Sequence, residues 1–117
     1  MSNLFWLTDE QVEAMIRESY ERAEEDFAER QVREARLEAD TILAAVEKAR
    51  DSDAYLEMSE AEKTAIDQAV NELLMAYCSE DHLLIRSQIA KLNDATMRLA
   101  EMMMNAAVKT ALKGTKI

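Results

Sequence analysis

The sequence predicts an all-α protein: a long N-terminal helix, or a pair of helices, leading into an antiparallel three-helix bundle. Three observations predict it. The 117 residues contain no proline and one glycine, Gly114, so a sheet of short strands would lack its turn residues. Ala, Glu, Leu, Met, Arg and Lys dominate, and all favour helix. Apolar residues recur three and four apart along most of the chain, the period of an amphipathic helix. The mass of 13.3 kDa fits one domain or a piece of a larger one. A compact chain of that size buries roughly two-thirds of its unfolded surface.

The first helix starts at Thr8. Its hydroxyl can cap a free N–H, and Gln11 three residues on can reach back to Thr8, while Leu7 and Val12 sit where a hydrophobic staple closes. Residues 1–7, with Phe5 and Trp6, form a joint ahead of it. One apolar stripe follows: Val12, Met15, Ile16, Ser19 and Ala23, running on to Phe27. Residues 28–34 are mostly charged and offer only Ala28 and Val32. A second stripe then comprises Ala35, Ala39, Ile42 or Leu43, Val46 and Ala49. Nothing from Thr8 to Arg50 breaks a helix, so 8–50 reads as one helix or two in line. Two buried patches flanking a thin polar middle suggest a lever held at both ends.

Residues 51–58 read as a loop. Ser59 with Glu62 forms a second capping box, opening a helix over about 60–77 with Ala65, Ile66, Ala69, Val70, Leu73 and Tyr77 inward. Ser79-Glu80-Asp81 marks the next start. A last helix over 81–112 carries Ile85, Ile89, Leu92, Thr96, Leu99, Met103, Ala106 and Thr110 on one face. Lys109, Lys113 and Gly114 suit its C-terminus. Helices 35–50, 60–77 and 81–112 can bury one another, so 59–114 packs with 35–50. The stripe Val12–Ala23 is left without a partner.

Charge and composition narrow the function. The net charge is −10, and all of it lies in residues 1–60. An acidic half without clustered Lys and Arg argues against nucleic acid and against an anionic membrane surface. No apolar run approaches the roughly 18 residues of a membrane span, and no signal peptide is visible. The single Cys78 allows no internal disulfide, so the cytoplasm is the default location.

Catalytic chemistry finds little support. His82 is the only histidine, and neither a zinc-protease pair nor a Glu-x-x-His half-site surrounds it. It reads as a surface residue of a first helical turn. Cys78 lies four residues before His82, half a metal site at most, and reads as a small buried apolar group. Met102, Met103 and Met104 point around a helix rather than at one metal, so they read as core, rim or docking surface. No cofactor is expected, and the chain does not read as an enzyme.

The order of these features carries a resemblance. LTDEQVEAMI, AEED, EADTILAAVEKA, SEAEKTAIDQAV and the closing ALKG together resemble the α-helical lid of the substrate-binding domain in 70-kilodalton heat-shock chaperones, nearest to the HscA branch that serves iron–sulfur cluster assembly. The likeness runs from about Leu7 to Gly114. It implies that the stripe Val12–Ala23 packs on a β-sandwich that grips client peptides, and that the following segment arches over the peptide cleft. It implies an accessory role with no activity alone: covering the cleft and slowing peptide release, in iron–sulfur protein assembly or general protein folding. Asp40 occupies the place of the family's latch to the sandwich loops, with Arg36 one turn earlier. Ala44 stands where general members often carry a histidine, which implies a weaker latch. Asn3, Leu4, Phe5 and Trp6 replace the family's usual entry turn, so Phe5 and Trp6 are either a divergent joint or exposed aromatics. The nucleotide-binding domain and the sandwich are absent from the sequence. The alternative is a stand-alone acidic helical interaction module that offers Trp6, Met15 and Ile16 to a partner. Either way the uncovered stripe predicts association, including a homodimer through residues 5–27.

Overall fold

The computed structural model describes residues 7–114; of the joint only Leu7 is among them, and Phe5, Trp6 and the preceding residues lie outside. Five helices follow in order: α1 (Asp9–Arg50), α2 (Asp53–Leu56), α3 (Glu60–Tyr77), α4 (His82–Ala95) and α5 (Met97–Gly114). The described residues contain no strand. α1 is continuous through residues 24–27, so the two-helix alternative is not realised.

Local chemistry sets the helix starts. At Thr8 both halves of the capping box form: the Gln11 amide donates to Thr8 Oγ1 at 3.1 Å, and the Thr8 amide donates to Gln11 Oε1 at 2.9 Å. The Ser59–Glu62 box forms in the same way. Asp81 caps α4 by accepting from the amides of Leu83 and Leu84, each at 3.1 Å.

The bundle is built from the C-terminal part of α1 with α3, α4 and the start of α5. Ile66, Leu73, Ile85, Leu92 and Leu99 are fully buried, and α1 contributes Val32, Ala35, Ala39 and Val46. The alanines let α3 and α4 approach α1 closely, while the leucines and isoleucines fill the space between.

Several expectations are corrected. Residues 51–58 are not a plain loop: Ser52 caps the one-turn helix α2, and Ala54 and Met58 are buried. The last helix is broken at Thr96. The Thr96 hydroxyl lies 2.9 Å from the Leu92 carbonyl and 3.2 Å from that of Asn93, and such back-bonding bends a helix. The bend preserves register, so Leu92 and Leu99 both stay inside. Ala65 is exposed because it sits one residue, or roughly 100°, away from Ile66 on the helix. Ala106 and Thr110 are exposed because α5 runs past the end of the bundle. Cys78 is exposed, since it follows the last turn of α3. The polar middle of α1 is not free of contact either, for Val32 is buried.

The largest departure is in shape. The molecule extends 87 × 36 × 16 Å with a radius of gyration of 24.2 Å, whereas a compact chain of this length has about 13 Å. Its accessible surface of 9176 Å² exceeds the roughly 6,400 Å² of a compact monomer of this mass. Burial therefore reaches only about half of the unfolded surface. The excess resides in the two helical arms, the first twenty-odd residues of α1 and the end of α5.

Candidate functional site

The N-terminal arm of α1 stands largely clear of the bundle: every residue from Asp9 to Arg30 is exposed, and Ala28 and Glu29 at its inner end border a cleft with Glu80. The sequence-predicted stripe lies entirely on it. Val12 is 39% exposed, Met15 56% and Ile16 65%, with Phe27 at 58%; Ser19 and Ala23 are exposed between them. Leu7 and Val12, at the staple positions, are the least exposed large apolar residues of the arm.

The direction of this stripe is the informative feature. At about 3.6 residues per turn, Val12–Phe27 and the bundle-facing row Val32–Val46 lie roughly 150° apart. The apolar side of α1 thus switches between Phe27 and Val32, and the arm presents its apolar row away from the bundle. The outward face continues along the helix. Leu37, about five turns beyond Ser19, is 65% exposed, and Thr41 and Ala44 are exposed near the same line. Leu37 escapes the sequence reading because that reading follows the inward stripe; its spacing from Ser19 is the signal that could find it.

Arg36 and Asp40 lie where this arm enters the bundle. The half-buried Arg36 side chain donates through Nε to the Tyr77 carbonyl at 3.0 Å and through Nη2 to the Ser79 carbonyl at 2.9 Å. It thereby satisfies carbonyls at the C-terminal end of α3, where a cation is also favoured by the helix dipole. Its guanidinium sits 5.8 Å from the centre of the Tyr77 ring. Asp40 is exposed and accepts the Tyr77 hydroxyl at 3.4 Å. That hydrogen bond is the main reason the Tyr77 phenol titrates above its ordinary value; partial burial and the Asp40 charge add to it, and Arg36 works against it. From the other side, Arg86 of α4 donates to Gln31 Oε1 at 2.9 Å and lies 3.5 Å from Glu38. Tyr77 and Arg86 are partners that the sequence reading did not assign, because they come from 37 to 55 residues away.

The remaining candidates do not assemble into a centre. Among the described residues no group of three or more His, Cys, Asp or Glu side chains could hold a metal ion. His82 is half-buried in the first turn of α4, Met102 and Met103 are half-buried, and Met104 is exposed. Among the described residues no helix is long and apolar enough to cross a membrane.

Comparison with known proteins places this architecture. The family profile described as Hsp70 protein matches residues 2–105. The chain is 35% identical over 113 residues to the chaperone protein HscA homolog of Azoarcus sp. (strain BH72), and 35% identical to that of Laribacter hongkongensis (strain HLHK9). It is 34% identical to the chaperone protein HscA of Photorhabdus laumondii subsp. laumondii. Each match covers 97% of this chain but only 18% of the relative. A profile that spans most of the chain, over a helical architecture, assigns this protein to the Hsp70 family.

Proposed function

We propose that this chain is the helical lid of an HscA-like chaperone, which covers a client-peptide cleft and slows release of the peptide. The observation that carries this reading is the exposed row Val12–Phe27 on the side of α1 opposite the bundle. A lid needs such a face to rest on the module that holds the peptide, while its bundle stays clear of that contact. Leu37 and Thr41 then lie over the cleft, and Asp40 is the latch, held at the rim by Tyr77. Arg36 acts as the anchor that fixes the angle between arm and bundle. The relatives named HscA support the branch, and on this reading the clients belong to iron–sulfur protein assembly or to general protein folding. The chain contributes no chemistry alone in this reading and acts in the cytoplasm.

The test is peptide dissociation from the peptide-binding module of an HscA relative, with and without this chain. Addition is expected to slow release, and Ile16→Ser is expected to abolish the effect while leaving the bundle folded. Equal release rates with and without the chain would overturn the proposal.

A further inference from the structure

The row Val12–Phe27 is bordered by acid. Residues 9–30 hold nine carboxylates against three arginines. One of those arginines, Arg22, is already 3.4 Å from Glu18. On the helix, Asp9, Glu13 and Glu24 line one side of the apolar row, and no ion pair within the described residues engages any of them. Arg17 lies on the same flank, about 20° beyond Glu24, and Arg30 falls on the line of the row just past Phe27, so the border is predominantly but not wholly acidic. The other side of the row carries Asp26 beside the engaged Arg22.

This border constrains what can cover the row. Two copies pairing antiparallel through it would bring the Glu13–Glu24 side of one helix against the same side of the other. Like charges facing each other across a contact disfavour the pairing. A neutral apolar surface would leave the carboxylates without partners and close to a surface that excludes water. We infer that the row is recognised by an apolar protein surface rimmed with Lys or Arg, with the cations on the side of Asp9, Glu13 and Glu24. The inference rests on the lid reading for the identity of that surface, the peptide-binding module, and adds its charge.

Opposite salt responses separate the possible occupants. Binding of the full chain to the peptide-binding module of the Azoarcus relative, produced without its own helical segment, is followed by titration calorimetry as salt is raised. Affinity is expected to fall about tenfold or more as the Debye length shrinks from roughly 30 Å at 0.01 M to 3 Å at 1 M. The double variant Glu13→Gln/Glu24→Gln should bind more weakly at low salt and show a flatter salt response. The control Glu47→Gln/Glu57→Gln, which removes two exposed carboxylates at and just beyond the far end of α1, should match the wild type. Sedimentation of the chain alone reads copy-to-copy pairing, which is expected to be weak at low salt and to strengthen as salt screens the repulsion. Binding to the module that is indifferent to salt, or equal loss in both double variants, overturns this inference and leaves the lid reading standing. No binding at any ionic strength overturns the lid reading itself. Copies that pair tightly at low salt through Ile16, as judged by Ile16→Ser, overturn the charge argument.

Discussion

At the scale of single residues, Arg36 joins the two halves of the molecule. It donates to two carbonyls that would otherwise face the junction unpaired, and its planar fork reaches both at 3.0 and 2.9 Å. Arg36→Ala is expected to lower the unfolding free energy by about 2 kcal/mol, the range for hydrogen bonds from a charged donor, as read by urea denaturation. Arg36→Lys should recover only part of this, since an ammonium cannot reproduce the fork. Tyr77 reports on the same junction. Its phenol titrates above the ordinary value of 10.0, chiefly through the hydrogen bond to Asp40. A raised value means that the fold prefers the neutral phenol. The stability it brings is therefore complete below that ordinary value and is lost as pH climbs through the folded-state value. Asp40→Asn should bring the tyrosinate absorbance titration of Tyr77 back toward the ordinary value.

At the scale of elements, the two capping boxes are chemically alike but differ in consequence. Ser59 starts a helix that supplies Ile66 and Leu73 to the core. Ser59→Ala should therefore cost the whole bundle about 1 kcal/mol. Thr8 starts an arm that stands largely clear of the bundle. Thr8→Ala should fray the first turns and reduce the circular-dichroism helix signal, with the midpoint of bundle unfolding unchanged. Both boxes are legible in sequence because each closes within four residues. The interruption at Thr96 is less legible. A 4-3-4-3 apolar pattern runs straight through it, and the hydroxyl that bends the helix breaks no periodicity. α2 escapes for a related reason: it packs against α5, which begins only at Met97, as well as against the neighbouring end of α1.

At the scale of the whole molecule, a compact bundle carries a long unsupported arm. An isolated helix of some twenty residues is only marginally stable in water, so the arm depends on being continuous with the packed part of α1. Hydrogen exchange should show amides 12–30 opening locally at low cost, while those around Ile66, Leu73, Ile85 and Leu92 exchange only through global unfolding. Leu73→Ala should cost about 2–5 kcal/mol and, on a bundle this small, bring global unfolding close to ambient conditions. Uniform protection along α1 would contradict this division. The accessible surface is about 2,700 Å² larger than that of a compact monomer, enough to accommodate contact with a neighbouring module.

The sequence by itself determined the long helices, the two capping boxes and most of the inward rows, because a 3.6-residue period and a capping box are local signals; it did not show α2 or the break at Thr96. It also singled out Val12–Ala23 as a row without an internal partner, since every other row had a complement. Only the tertiary structure decided that α1 is unbroken, that its apolar side switches by roughly 150° between Phe27 and Val32, and that Arg36 is fastened to the end of α3. The first was open because no residue near 24–27 either forces or forbids a bend. The second needs the bundle as its reference direction. The third joins residues more than forty positions apart, a separation that no local pattern encodes.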